Sequence, residues 1–174
     1  TEGLIDHARR ASTVVLNIDH HPDNRRYADV NWIDVSAAAT GEMVYELLLA
    51  LEVPLTPAIA TNLFTAVHTD TGSFRYSNVT PRTFTIAAAL VAAGAEPAVV
   101  SQALYERRAP DALRWLGEAL RHVEVSDEGR LAWLALPSGG VPEALVESEE
   151  LVNYPRSIAT VRVACLFRER GGEV

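Results

Sequence analysis

The chain has 174 residues, 15 of them basic and 23 acidic, for a formal net charge of −8, and 48% of it is hydrophobic. Such a composition can bury a core, which excludes disordered and fibrous classes; every basic residue is arginine, too few against the acidic excess to grip a long nucleic acid by counterion release. The longest apolar stretch, Thr85 to Ala95, is shorter than the roughly 20 residues that span a bilayer, no signal pattern stands at the N-terminus, and the lone Cys165 suits a reducing compartment, so a cytoplasmic protein with no membrane partner is expected.

Taken in chain order, Thr13-Val14-Val15-Leu16-Asn17-Ile18 is a β-branched and aliphatic run of the kind that forms a fully buried strand in a parallel sheet. It ends in the polar loop Asp19-His20-His21-Pro22-Asp23-Asn24, and a second short strand is expected near Ala28 to Ile33. Ser36 reads as the N-cap of a helix carrying Met43, Val44, Leu47, Leu48 and Leu51 at helical spacing. Thr56-Pro57 opens a second helix by a cap and a first-turn proline, and the glycine of Asp70-Thr71-Gly72 ends it. Thr80-Pro81 repeats the start signal and Gly94 supplies the stop. Pro97 to Tyr105 is a further short helix, and Pro110 begins another with Leu113, Leu116 and Leu120 on one face.

Past residue 122 the pattern changes. His122 to Val125 and Arg130 to Leu136 alternate like the two strands of a hairpin around Ser126-Asp127-Glu128-Gly129. Pro137 to Val141 reads as a loop, Ser148 to Ile158 as a helix interrupted by Pro155, and Thr160 to Arg168 as a strand that Gly171-Gly172 would turn toward a partner. An α/β protein is expected: a parallel-sheet domain over 1–109, a connecting helix over 110–121, and a smaller α/β domain over 122–174. The last strand is expected to lack its partner, which reads as a cut in a longer protein.

Two segments carry chemistry. In Asp19-His20-His21, two histidines follow a carboxylate at the C-terminal end of a strand, where open α/β sheets place their ligands. Imidazole with carboxylate is a donor mix that suits Mn²⁺ and similar ions; from the triplet alone, a surface loop fits as well. In Asp70-Thr71-Gly72-Ser73-Phe74-Arg75-Tyr76-Ser77-Asn78, a carboxylate sits at a helix C-terminus, where the dipole repels anions and a bound cation would compensate. Arg75 could hold a phosphate by paired hydrogen bonds, although a capped helix end followed by a polar loop explains the same residues.

Together with Ala37-Ala38-Ala39-Thr40-Gly41-Glu42 and Val79-Thr80-Pro81-Arg82-Thr83, these motifs resemble the DHH phosphoesterase family, and within it the bifunctional oligoribonuclease/pAp phosphatases. Glu150 to Ile158 and Leu166-Phe167-Arg168-Glu169 look like the start of that family's DHH-associated domain. The resemblance implies a DHH domain followed by part of a substrate-binding domain. It implies hydrolysis of short oligonucleotides and 3′,5′-phosphorylated adenosine with two Mn²⁺ ions (Mg²⁺ or Co²⁺ as substitutes), and leaves a homo-oligomer open. Cyclic- or linear-dinucleotide phosphodiesterase and an inactive nucleotide- or metal-binding module are the alternatives. By resemblance, His20 and Asp70 are metal ligands, His21 acts on the phosphate or leaving oxygen, Asp19 orients a histidine, and Arg75 and Ser73 face the substrate; Asn24 ties down the loop. The family's Asp-x-Asp cluster, its lone bridging aspartate and its Gly-Gly-Gly-His run have no counterpart here, so the chain is expected to hold about half of the site and to be inactive alone. Asp6-His7 lacks the context of a motif. His68, His122, Trp32, Trp115, Trp133 and Cys165 are read as packing or surface residues.

Overall fold

Threonine–proline pairs at the start and glycines at the end bound two of the helices. The computed structural model describes residues 13–136 and 151–169, and the chain divides between Leu104 and Tyr105 into two units. In the first, strands β1 (Leu16–Asp19) and β2 (Val30–Ile33) pair in parallel, Asn17 opposite Asn31 and Asp19 opposite Ile33. Helices α1 (Thr40–Ala50), α2 (Pro57–Asp70), α3 (Pro81–Ala92) and α4 (Pro97–Tyr105) follow. The Thr56 hydroxyl caps α2 by accepting the Ile59 amide, and Thr80 caps α3 in a reciprocal box with Thr83. Both helices therefore begin where the Thr-Pro pairs predict.

Ala60, Phe64, Ile86, Leu90 and Val100 form the centre of this unit. The start of α1 lies close against α2: Ala37, Ala38 and Ala39 are buried, and a Cβ on Gly41 would stand 3.0 Å from the Ala66 Cβ. That approach explains why the Ala-Ala-Ala-Thr-Gly run carries no large side chain.

Two expectations fail in this unit. Ser36 does not cap α1, which begins after Ala39; its hydroxyl donates to Asp34 Oδ1 instead. Glu42, in the first turn and fully buried, takes over part of the capping by accepting the Ala38 amide at 3.1 Å. Nor is β1 fully buried. Val14 and Leu16 are exposed, and the inward position belongs to Asn17. Helix α1 packs on β1, and the Asn17 amide is satisfied there by donating to Asn24 Oδ1 and Asn31 Oδ1. Buried polar groups are tolerated when so paired.

Arg82, in the first turn of α3, ties three segments together. Its Nη1 donates to Asp34 Oδ2 and its Nε to Glu46 Oε1, both at 2.9 Å, with Glu42 Oε2 at 3.7 Å. Bonds from Ser36 and then Arg82 hold the Asp34 carboxyl at about 2, and Asp34 raises Arg82 in return. The folded pKa of Asp34 lies below its unfolded value, so its stabilisation is present above about pH 4 and is lost as pH falls toward 2. After solvent screening the contribution is of order 1 kcal/mol. Thermal unfolding of Asp34→Asn is expected to show a lower Tm than wild type at pH 6 and a shrinking difference below pH 4. A difference that is constant with pH would contradict the assignment.

In the second unit, α5 (Pro110–Leu120) precedes β3 (Val123–Val125), β4 (Leu131–Leu136), α6 (Asn153–Arg156) and β5 (Val163–Arg168). The sheet order is β3-β4-β5: β3 and β4 form the expected antiparallel hairpin, with Gly129 at φ +70° in its turn, and β5 joins β4 in parallel. Leu116 and Ala119 of α5 pack with Leu134, Leu136 and Leu151. The helix expected over 110–121 spans Pro110–Leu120 and packs within the second unit, and the chain divides between Leu104 and Tyr105. Leu113 faces out of that helix, and Cys165 is half-buried. The expectations for Asp6-His7, the loop from Pro137 to Val141, the start of the 148–158 helix and Gly171-Gly172 lie outside the described residues. Among the described residues no single helix is long and apolar enough to cross a membrane.

Candidate metal-binding site

Strand β1 delivers Asp19 at its last position, and the chain then leaves the sheet through His20 and His21. The Asp19 carboxylate organises this exit. Its Oδ1 accepts the backbone amides of His20 at 2.7 Å and His21 at 3.2 Å, and the Nδ1–H of the His21 ring at 2.6 Å. Its Oδ2 accepts from Asn24 Nδ2, whose own Oδ1 is held by Asn17. Asn24 therefore ties the loop to the strand. The bonds from Asn24 and then His21 keep Asp19 well below the usual carboxylate range, and Asp19 raises His21 in return.

The two histidines are oriented differently. Asp19 binds His21 through Nδ1, so Nε2 of that 64% exposed side chain is the nitrogen left for another partner. His20 is more enclosed, and its Nδ1 lies 3.2 Å from the Ala37 carbonyl oxygen. A carbonyl only accepts, so Nδ1 carries the proton. In the neutral ring, Nε2 then presents a lone pair, and it faces Asp70 Oδ2 at 3.5 Å. This spacing is closed either by a proton on Nε2, as an ion pair, or by a cation between the two atoms. The spacing suits two ligand atoms each about 2.1 Å from one ion. Ligand atoms of Asp19, His20 and His21 lie within 4.8 Å of one another, and Asp19 Oδ2 accepts from Asn24.

Asp70 ends α2, and partial burial pushes its carboxyl up against the pull of His20 and His21. The turn that follows is left-handed over three residues: Gly72, Ser73 and Phe74 have φ of 55°, 61° and 60°. For the two non-glycine residues this conformation costs about 1–2 kcal/mol each. Buried Thr71 holds it: its hydroxyl donates to the Val67 carbonyl and accepts the Phe74 amide, while its carbonyl accepts the amides of Arg75 and Tyr76. Gly72 has a second reason to be glycine, since a Cβ there would stand 2.3 Å from the Tyr76 ring.

The turn also places the candidates for the substrate side. Arg75 is exposed, and its Nε donates to the Gly72 carbonyl at 2.6 Å. The Ser73 hydroxyl lies 3.2 Å from His68 Nε2. His68 is buried, stacked on Phe64 and edge-on to Phe74, and burial followed by the charge of Arg75 lowers its pKa. Sequence reasoning passed over two participants. One is the Ala37 carbonyl, which no side-chain pattern could reveal. The other is Asn78, whose Nδ2 donates to both the Ala38 and the Asp70 carbonyls.

No family model matches the chain. It is 35% identical, over 90% of its length and 47% of the relative's, to the bifunctional oligoribonuclease and PAP phosphatase NrnA of Thermus thermophilus. It is 26% identical, over 99% of its length and 56% of the relative's, to NrnA of Bacillus subtilis. Over its own length the chain is similar to these NrnA proteins. It spans about half the length of the curated relatives it matches. The fold matches that of an exopolyphosphatase-related protein from Bacteroides fragilis with a TM-score of 0.86 at 22% identity, over 97% of this chain and 51% of that one. This is the α/β architecture expected from the motifs, and the relationship to NrnA agrees with their resemblance to DHH phosphoesterases.

Proposed function

We propose that the chain forms one half of a Mn²⁺-dependent phosphoesterase that acts on short oligonucleotides and 3′,5′-phosphorylated adenosine. The observation that carries this reading is His20 Nε2 set against Asp70 Oδ2 at 3.5 Å, with the other ring nitrogen held by the Ala37 carbonyl. The names of the NrnA relatives supply the substrate class.

In this reading His20 and Asp70 hold one divalent ion, and Mn²⁺ suits the nitrogen and oxygen donors, with Mg²⁺ or Co²⁺ able to substitute. When bound, such an ion lowers the pKa of water and neutralises phosphate charge. The chain's own residues do the rest. Asp19 holds the Nδ1–H of His21 and, by raising the ring's pKa, favours a second proton on Nε2, where a phosphate or leaving oxygen would accept it. Arg75 and Ser73 stand on the turn after Asp70, on the side assigned to the substrate. The second unit corresponds by resemblance to part of the substrate-binding domain. An inactive metal- or nucleotide-binding module is the second reading, since the His20–Asp70 pair identified here serves a single ion.

The test is a titration of the purified protein with Mn²⁺, followed by electron paramagnetic resonance of the free ion, with and without pAp. One ion per chain is expected, with pAp binding tighter in the presence of Mn²⁺. Equal pAp affinity with and without the ion, or no bound Mn²⁺, would remove the basis for this function.

A further inference from the structure

We propose that Asn78 is a positioning residue that sets the distance between His20 and Asp70, an inference that rests on reading those two side chains as ligands of one ion. Its side-chain amide donates to two carbonyls from distant parts of the chain, Ala38 at 3.0 Å and Asp70 at 3.1 Å. Both partners are acceptors only, so the NH₂ end of the amide faces them and each of its protons is used. One acceptor is the backbone of the ligand at the end of α2. The other is in the loop before α1, next to Ala37, whose carbonyl fixes the ring of His20. The Ala38 amide is in turn held by buried Glu42.

The chain of contacts therefore runs from the His20 ring to Ala37, through Ala38 to Asn78, and on to the backbone of Asp70. The Asn78 amide thus spans the junction between the 37–39 loop and the end of α2, and the two ligands are aimed from opposite sides of that junction. A side chain that orients a metal ligand through its hydrogen-bond partner commonly controls affinity by 10- to 100-fold when removed. The role is distinct from general stabilisation, because the amide touches the backbones that aim the two ligands and lies outside the apolar centre of the unit.

The test compares Asn78→Asp and Asn78→Ala with wild type. The aspartate is nearly isosteric but has no protons to donate; its added negative charge would by itself tighten cation binding, so a loss of affinity isolates the missing donors. The expected result is Mn²⁺ affinity weakened about 10-fold or more in both variants, while Leu116→Ala, which lowers Tm through the second unit, leaves affinity unchanged. Nitrogen-15 spectra of the histidine rings, recorded without metal, read the positioning directly. Wild type is expected to show His20 as the Nδ1–H tautomer, and the variants a mixture. Variants with both wild-type affinity and the wild-type tautomer would overturn the role of Asn78 and leave the metal site standing. A wild-type protein that binds no Mn²⁺ would overturn the metal site, and the tautomer would then decide Asn78 alone. Should a variant fail to fold, exchange of the side-chain amide protons in wild type decides the question: those of Asn78 are expected to be slower than those of exposed Asn62, and equal rates would overturn the proposal.

Discussion

Replacing His20 by alanine is expected to weaken Mn²⁺ binding by about 10-fold or more, since loss of even a supporting group costs that much, whereas His21→Ala leaves metal affinity within about 2-fold of wild type. The difference follows from which nitrogen each ring has spent. His20 gives Nδ1 to a backbone carbonyl and turns Nε2 to Asp70, so deleting the ring removes one of two donors and leaves the Asp70 carboxylate alone at the site. His21 gives Nδ1 to Asp19 and stands largely in solvent, so its deletion removes a group facing outward. Phosphate contact is the property His21→Ala is expected to lose, read as weaker pAp binding at saturating Mn²⁺. Isothermal titration of both variants with Mn²⁺, then with pAp, separates the two roles. Equal loss of metal from both variants would refute the division.

The second large effect is expected as an absence: the 174-residue chain with Mn²⁺ releases no phosphate from pAp and no mononucleotide from a dinucleotide. Two-ion hydrolysis uses ligands for both ions, and the ligands identified in this chain serve one. Of the spare carboxylates near the histidines, Asp23 is exposed in the loop itself and follows the histidines, Asp29 accepts the Val15 amide at 2.8 Å, and Asp34 is taken by Ser36 and Arg82. Asp29 and Asp34 cannot bridge a second ion without breaking a bond that shapes the first unit. Nucleophile generation and charge neutralisation are each worth several kcal/mol of barrier, so losing the second ion removes measurable turnover. A coupled phosphate assay and chromatography of the dinucleotide check this. Turnover of about 1 s⁻¹, within the ordinary enzyme range, would mean that this chain completes the site with residues not identified as ligands.

What could be read from the sequence was whatever depends on side-chain identity at short range. Thr56-Pro57, Thr80-Pro81 and Gly94 mark helix ends because capping and positive φ are local matters. His20 and Asp70 were legible as a pair only through the resemblance of the long motif around each, and the structure brings them together. Their assigned roles in metal binding are the reading proposed above. What escaped depends on the backbone or on tertiary packing. The Ala37 carbonyl has no signature, and Asn78 looks like any loop asparagine until its two acceptors arrive from elsewhere in the chain. Ser36 resembles a cap, but the buried Ala37 to Ala39 segment delays the helix and Asp34 captures the hydroxyl. The left-handed Ser73 and Phe74 contradict local preference, and only the bonds around Thr71 make them tenable.

The asparagines between β1 and β2 have a consequence for how accurately the strand is set. Asn17 and Asn31 lie opposite each other in the ladder, and Asn24 and the Ala28 carbonyl complete their bonds. A slip of one residue would turn Asn17 outward and Leu16 or Ile18 inward, separating amides that now satisfy each other across the strands. A slip of two would keep the faces but shift β1 by about 6.6 Å along β2, nearly twice the 3.5 Å that separates His20 from Asp70. An aliphatic pair at these positions would bury more apolar surface and tolerate either slip. The amides forgo that gain and penalise every misregistered pairing, so the strand end that carries Asp19 and His20 is placed to a single residue.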